Sequence, residues 1–176
     1  MYPMRQDHNS IKGLIELCRS LMAKKEIQDF VEVGSFGGES ALLFHEHLPE
    51  ANIFCIDPWE SGYDGNDVAS SHDMKEVEAA FDERTSNCGR VLKMKGQSED
   101  YADSFDSASV DAVYLDGCHT YEAIKKDLEF WLPRCKLAIC GHDYTSNWPG
   151  VVEAVDELIG APDLLFCDGS WIKWLN

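Results

Sequence analysis

A short, mostly apolar run, Phe30–Val33, leads directly into a glycine-rich turn, Gly34–Gly38, and a helical pattern follows over Ala41–Leu48. Such a run before a glycine turn is typical of a buried strand. A strand, a glycine turn and a helix start form the first unit of a parallel α/β sheet. The free backbone N–H groups at the helix start can hold a nucleotide-like ligand. The stretch therefore predicts a fold class and a ligand site together.

The order of residues in this turn differs from the dinucleotide-binding pattern G-x-G-x-x-G. Phe36 stands where a glycine would let a pyrophosphate approach, and Glu32, just before the turn, would repel that pyrophosphate. A ligand that carries positive charge near its centre fits better. Two alternatives stay open at this point: an ordinary strand–helix turn with no ligand, and an NAD(P)-linked oxidoreductase, which Phe36 and Glu32 disfavour.

The composition bounds the class of protein and its partners. A length of 176 residues predicts one domain over 1–176, with 1–28 as a helical lead-in. The net charge of −17, from 32 acidic and 15 basic residues, disfavours a nucleic-acid partner, since phosphates would be repelled. We find no membrane span and an N-terminus too polar for a signal peptide, so we expect a cytoplasmic protein with no membrane partner.

The cysteines carry no signature of a disulfide framework or a metal site. The chain has seven of them and no C-x-x-C pair, which is typical of a protein that keeps its thiols reduced. We expect Cys55, Cys140 and Cys167 to lie in buried strands. A zinc site formed by Cys140 and His142 is conceivable but disfavoured, because no second pair has suitable spacing.

Strand and helix patterns alternate along the whole chain. Helices are expected at Ser10–Lys25 (with Ser10 as N-cap), Glu39–Leu48, Asp73–Ser86, Glu99–Ser104, Tyr121–Trp131 and Gly150–Ile159. Strands are expected at Asp29–Gly34, Asn52–Ile56, Val91–Lys95, Ala112–Leu115, Lys136–Cys140, Leu164–Cys167 and Trp171–Leu175. Five β–α alternations and a final Asp-Gly turn between two apolar runs predict an α/β sheet, mostly parallel with one antiparallel edge strand.

Polar residues follow the second and third strands. Asp57 comes 23 positions after Gly34, where a carboxylate suits the two hydroxyls of a ribose, although an aspartate before Pro58 could simply open a turn. Gln97 and Ser98 could offer hydrogen bonds to an adenine edge, and Ser98 could equally be a helix N-cap. The irregular stretch Pro58–Ser71 begins at a strand end and is either a lid over a ligand or a mobile connection.

Two further clusters follow the fourth and fifth strands. Asp116 and His119 come after one, and His142 and Asp143 after the other. Because the ends of adjacent parallel strands meet at one edge of the sheet, we expect these four side chains near one point. Facing carboxylates are costly unless a cation or substrate compensates their charge, although each residue alone could be a helix cap or an ordinary side chain.

Four segments in combination resemble the class I S-adenosylmethionine-dependent methyltransferases: Glu-Val-Gly-Ser-Phe-Gly-Gly-Glu-Ser (32–40), Ile-Asp-Pro-Trp (56–59), Leu-Asp-Gly-Cys-His-Thr-Tyr-Glu (115–122) and Gly-His-Asp-Tyr (141–144). The similarity is to the small-molecule O-methyltransferase branch that includes catechol and macrocin-type enzymes, and it spans Phe30–Leu158. It implies a Rossmann-like, doubly wound, seven-stranded sheet of order 3-2-1-4-5-7-6 with helices on both faces.

The resemblance also implies the site residues. S-adenosylmethionine would be bound by ten of them: Glu32, Gly34, Ser35, Phe36, Ser40, Asp57, Pro58, Gln97, Ser98 and Asp116. Asp116, His142 and Asp143 would hold a divalent metal, Mg²⁺ or Mn²⁺, and His119 would be the general base. Relatives usually carry an acidic residue at the place of His142. Since Mg²⁺ prefers oxygen ligands, His142 either favours a metal such as Mn²⁺ or does not coordinate.

These expectations combine into methyl transfer to a hydroxyl of a small-molecule acceptor. The identity of the acceptor is left open, and its selection is expected to reside in Pro58–Ser71 and Tyr144–Pro149. A non-catalytic nucleoside-binding module and a metal-dependent hydrolase are alternatives. Relatives often form dimers, so the apolar stripe of the first helix could serve a homodimer or simply the core.

Overall fold

The computed structural model describes residues 7–175, apart from the side chains of Ala102 and Asp103. The first six residues and the last residue of the expected domain lie outside the described residues. The elements, in chain order, are α1 (His8–Lys24), β1 (Asp29–Val33), α2 (Glu39–His47), β2 (Asn52–Asp57), α3 (Met74–Thr85), β3 (Val91–Lys95), β4 (Val110–Leu115), α4 (Tyr121–Trp131), β5 (Cys135–Gly141), α5 (Pro149–Ile159), β6 (Leu164–Leu165) and β7 (Trp171–Trp174). Short 3₁₀ segments cover Val68–Ser71, Ser98–Ser104 and Leu132–Arg134.

The strands form one seven-stranded sheet of order β3-β2-β1-β4-β5-β7-β6. Strands β1 to β5 are paired in parallel, and β7 pairs antiparallel with both β5 and β6. The predicted strand order and the antiparallel pairing at one edge are therefore confirmed. The parallel connections bring the carboxyl ends of β1, β2, β4 and β5 to one edge, where the predicted site residues lie.

Apolar residues bury both faces of this sheet. On one face, Phe30 of β1 packs in a cluster with Leu17 of α1 and Phe44 of α2. On the other face, Val31 packs in a cluster with Leu128 of α4 and Val155 of α5. Because successive side chains of a strand point to opposite faces, a strand covered on both sides reads as a nearly continuous apolar run. Helices on both faces are thus confirmed.

The first helix differs from expectation at its start. Asp7, not Ser10, is the N-cap, and its carboxylate accepts hydrogen bonds from the backbone N–H groups of Asn9 and Ser10, each at 2.9 Å. The helix therefore begins two residues earlier, and Ser10 lies inside its first turn. The apolar stripe of α1 is buried in this chain's own core.

Two further features complete the fold. Cys55 and Cys140 are buried in strands as expected, but the expectation for Cys167 is wrong: it is exposed and follows β6, which ends at Leu165. That strand is shorter than expected, since only Leu164 and Leu165 pair with β7. None of the helices in the described part of the chain combines the length and apolarity needed to cross a bilayer.

Candidate active site

Two cavities meet at the carboxyl edge of the sheet. One, which we call the histidine cavity, measures 350 Å³ and contains His119 and His142. The other, the Gln97 cavity, measures 400 Å³ and is lined by Gln97 and Asp57. The same residues separate and line both of them: Gly34, Phe36, Tyr63, Asp116 and Gly117. The two cavities therefore adjoin along the predicted glycine turn.

The turn has the shape that only glycine allows at its first position. Gly34 has φ +89°, and a Cβ there would lie 2.2 Å from the carbonyl oxygen of Asp116. Phe36 also has a positive φ, of 44°, and its backbone N–H donates to Asp57 Oδ2 at 2.8 Å. A bond from the end of β2 thus holds the turn after β1 in this unusual conformation.

Asp57 joins the turn to the loop that follows β2. Its second oxygen, Oδ1, accepts the backbone N–H of Trp59 at 2.7 Å, and the Trp59 indole donates to the Phe36 carbonyl at 2.8 Å. Burial raises the pKa of Asp57, although both backbone N–H groups act in the opposite direction. Each carboxylate oxygen keeps a lone pair that can accept from a hydroxyl in the Gln97 cavity, which Pro58 also lines.

The far wall of the Gln97 cavity comes from the 3₁₀ segment and from α4. Gln97 occupies the cap position of that segment and its N–H donates to the Asp100 carboxylate at 2.8 Å. The Ser98 hydroxyl instead accepts the Trp131 indole N–H at 2.7 Å, so the N-cap interpretation of Ser98 is wrong. The predicted Gln97 and Ser98 nevertheless both line the cavity.

Asp127 of α4 is a residue of this wall that sequence reasoning missed. It lines the Gln97 cavity together with Ala123, one helical turn earlier. Burial raises the pKa of Asp127 to about 6, although Ser98 partly offsets the effect. The i, i+4 spacing of Ala123 and Asp127 placed both on one face of the helix, and only the fold directs that face to the cavity.

Ser35, Ser40 and Glu32 lie on the other side of the turn. The two serines line the histidine cavity, and the hydroxyl of Ser35 is buried with no hydrogen-bond partner among the described residues. Glu32 is fully buried behind Ser40, whose hydroxyl donates to it. Burial raises the pKa of Glu32 to about 7. The structure therefore gives Glu32 no surface in either cavity, and any effect on a ligand would act through Ser40.

His119 stands between carboxylates on both sides of its ring. Its Nε2 lies 3.0 Å from Asp143 Oδ2 and 3.8 Å from Asp116 Oδ1, and its ring centre is 4.2 Å from that of Trp148. Among residues 7–175, neither ring nitrogen makes a hydrogen bond of good geometry. Burial lowers the pKa of His119, but Asp116 and Asp143 outweigh burial and raise it to about 10.

The loop after β2 folds onto His119 through two aspartates that were not predicted. Asp64 Oδ2 accepts the backbone N–H of His119 at 3.3 Å and lies 3.8 Å from its Nδ1. Asp67 Oδ2 accepts the Tyr63 hydroxyl at 3.1 Å and lies 4.0 Å from the same nitrogen. Both aspartates lie in an irregular stretch without periodicity, so no pattern in the sequence predicts that they reach His119.

Asp116, His142 and Asp143 could hold a metal ion, as predicted. One donor atom from each lies within 4.8 Å of the other two, and two carboxylates with one imidazole suit a transition metal better than Mg²⁺. His142 Nδ1 is 3.1 Å from Asp143, and Nε2 is 3.7 Å from Asp168. Cys140 is buried in the core cluster on the α1 side, which gives the conceivable zinc site no support.

Burial and neighbouring charges together shift the pKa values of Asp116, His142 and Asp143. Burial lowers the pKa of His142, but Asp143 and Asp168 outweigh it and raise the value to about 11. Burial raises the pKa of Asp143, yet its two histidine neighbours bring it well below its ordinary value. Burial also raises the pKa of Asp116. The histidines and carboxylates of this cluster therefore compensate one another's charge in part.

Residues 31–144 match a family model described as a methyltransferase domain. This match spans more than half of the chain. The chain belongs to this methyltransferase family. All predicted site residues except Glu32 line at least one of the two cavities, and all of them, Glu32 included, lie inside the matched range. No match was found among curated protein sequences.

Solved structures of other methyltransferases share this methyltransferase's fold. A protein from Staphylococcus aureus assigned as a caffeoyl-CoA O-methyltransferase superposes with a TM-score of 0.67 at 15% identity, over 99% of this chain and 86% of that one. PaMTH1 of Podospora anserina, bound to S-adenosylhomocysteine, gives 0.65 at 14% identity, over 98% and 80%. The O-methyltransferase TomG of Streptomyces achromogenes, bound to S-adenosylmethionine, gives 0.61 at 15% identity, over 98% and 80%.

Proposed function

We propose that this methyltransferase transfers a methyl group from S-adenosylmethionine to a hydroxyl group of a small molecule. The observation that carries the proposal is that two cavities meet at the Gly34 turn. One is lined by the carboxylate of Asp57, which suits a ribose, and the other by the imidazole of His119 among carboxylates. The family match favours methyl transfer over the oxidoreductase and hydrolase alternatives. A cavity of 350 Å³ suits a small acceptor rather than a macromolecule.

The residues of the Gln97 cavity fit the nucleoside end of the cofactor. Asp57 would accept the ribose hydroxyls, and Gln97 and Asp127 would face the adenine. Phe36 would cover the junction between nucleoside and methionine, whose far end would lie near Ser35 and Ser40. Two structural neighbours were solved with S-adenosylmethionine or S-adenosylhomocysteine, which supports this cofactor. When bound, it supplies a methyl group on a positively charged sulfur.

His119 would remove the proton of the acceptor hydroxyl at one of its ring nitrogens. A protonated imidazole cannot do this, so the carboxylates that raise the pKa of His119 to about 10 must first be compensated. A divalent ion held by Asp116, His142 and Asp143 would compensate them and would polarise the acceptor oxygen as a Lewis acid. Trp148 covers one face of the ring and restricts the orientation in which His119 can meet an acceptor.

Replacement of His119 tests the assignment of the base. In His119→Ala we expect S-adenosylmethionine to bind with unchanged affinity in calorimetry, and methyl transfer to fall at least about a hundredfold, the smaller end of what a general base contributes. His8→Ala, which removes an exposed histidine of α1, is the matched control. Loss of cofactor binding in His119→Ala would show that the residue belongs to the binding surface. Unchanged turnover would end the proposed role.

A further inference from the structure

We propose that the acceptor bound in the histidine cavity carries a protonated amine besides its reacting hydroxyl, and bears no phosphate or carboxylate. This inference rests on the proposed function, since it names the substrate class of the same site. It comes from the charges, the unpaired hydroxyls and the aromatic walls of the cavity.

The ionisable groups in the wall of the histidine cavity are carboxylates and imidazoles. Asp67, Asp116 and Asp143 line it, and no lysine or arginine of the described residues does. Glu39 also lines it but is paired with Arg84, whose Nη1 lies 3.4 Å away. The two imidazoles of this wall, His119 and His142, lie against carboxylates of the site. An anionic acceptor would therefore enter a field of its own sign, in a chain whose net charge is −17.

The cavity also contains buried hydroxyls that lack a partner. Tyr114, at 0% exposure, and Ser35 both line it, and neither hydroxyl makes a hydrogen bond of good geometry to the residues described. The nearby Ser170 hydroxyl is engaged with Asp168 at 2.6 Å. Buried polar groups are nearly always hydrogen-bonded in folded proteins, so this pair indicates a ligand with its own polar groups. Their presence is independent of the carboxylates.

Aromatic side chains line the same cavity as Asp67, the carboxylate that we assign to the amine. The Tyr63 hydroxyl donates to Asp67 Oδ2 at 3.1 Å, and Tyr63 and Trp148 both line the cavity. A carboxylate attracts an ammonium group by charge, and an aromatic face in the same cavity can add a cation–π contact. Asp67 is not among the three candidate metal donors, and its two hydrogen-bond donors, the Tyr63 hydroxyl and the Ala69 N–H, are neutral. With His119 as the neutral base, no cation among the described residues of the site therefore cancels this charge. An ammonium on the acceptor supplies that compensation.

A matched series of phenols tests the inference. Tyramine, tyrosol and 4-hydroxyphenylacetate share one phenol and differ in carrying an ammonium, a hydroxyl or a carboxylate. We expect tyramine to bind at least tenfold more tightly than 4-hydroxyphenylacetate in calorimetry, both with and without saturating S-adenosylhomocysteine. In Asp67→Asn we expect the affinity for tyramine to fall at least fivefold and the affinity for tyrosol to stay unchanged.

The substitution keeps the shape and the capping oxygen of Asp67, and Asp106→Asn, at an exposed site, is the control with the same change of charge. Equal or tighter binding of 4-hydroxyphenylacetate would overturn the inference, and so would no tyramine binding up to 10 mM or equal weakening in the control. The titration with S-adenosylhomocysteine alone reports on the proposed function. If S-adenosylhomocysteine binds but 4-hydroxyphenylacetate binds more tightly than tyramine, only the inference on the amine is overturned.

Discussion

The two cavities differ in how their polar groups are satisfied. In the Gln97 cavity, Asp57 accepts two backbone N–H groups and Ser98 accepts an indole N–H. In the histidine cavity, the ring nitrogens of His119 and the hydroxyls of Tyr114 and Ser35 are buried without hydrogen bonds to the described residues. The first cavity is a rigid surface that is ready for a ligand. The second contains charged side chains and buried polar groups without hydrogen-bond partners, and a bound ligand or metal ion would have to stabilise them.

This difference suggests a division of labour between binding and chemistry. Contacts to a part of the ligand that does not react stabilise the ground state and the transition state equally, whereas groups aimed at developing charge act on the reaction step. Substitutions in the Gln97 cavity should therefore change cofactor affinity, and those in the histidine cavity should change turnover. The expected effects below are ordered from the largest to the smallest.

Asp143→Asn should separate the two functions most strongly. The change removes the negative charge that both His119 and His142 face, at 3.0 and 3.1 Å, and weakens the candidate metal group. We expect turnover to fall at least about a hundredfold, or ~2.7 kcal/mol in the barrier, with cofactor affinity within about twofold. Chelation of divalent ions should lower turnover of the unchanged protein and leave S-adenosylhomocysteine binding intact. Equal losses in affinity and turnover would remove the distinction between the cavities.

Glu32→Gln should change stability, and only at higher pH. The folded-state pKa of Glu32, about 7, exceeds its ordinary value of 4.5 because of burial, so the folded state retains the proton through this window while the unfolded state loses it. Stability is therefore lost as pH rises from about 4.5 to 7. We expect the glutamine variant to be more stable than the parent by at least about 2 kcal/mol at pH 8 and similar to it at pH 4.

Urea unfolding at both pH values measures this difference. Glu46→Gln, at an exposed position of α2, the helix whose first turn contains Ser40, should leave the pH dependence unchanged. A variant that follows the parent's pH profile throughout would show that Glu32 does not titrate in this window, and that its charge is compensated in the folded protein.

Asp57→Ala should weaken the cofactor and spare the chemical step. It removes the acceptor of the Phe36 and Trp59 N–H groups and the proposed partner of the ribose. We expect the Kd for S-adenosylhomocysteine to rise about tenfold, or ~1.4 kcal/mol, with turnover at saturation within about threefold. Asp73→Ala is matched, because Asp73 also accepts a backbone N–H, from Lys75 at 3.0 Å, but lines neither cavity. A loss confined to turnover would contradict the assignment.

Local patterns determined most of the architecture. The alternation of strands and helices follows from hydrophobic periodicity, and the strand order was implied by the resemblance that four short motifs carry. Gly34 marked the turn in the sequence, and the structure gives the reason: no side chain fits this left-handed conformation so close to the carbonyl of Asp116. The sequence also allowed the prediction that four side chains lie near one point, since parallel strands end at a common edge: Asp116, His119, His142 and Asp143.

The tertiary structure decided which groups share a cavity. The loop Pro58–Ser71 has no periodicity, so nothing local indicated that Asp64 and Asp67 fold onto His119. Nor did a local pattern show that Asp127 reaches the Gln97 cavity or that Glu32 is buried behind Ser40. Burial, pairing and charge compensation depend on contacts between residues far apart in the chain, and these exist only once the sheet has brought its strand ends together.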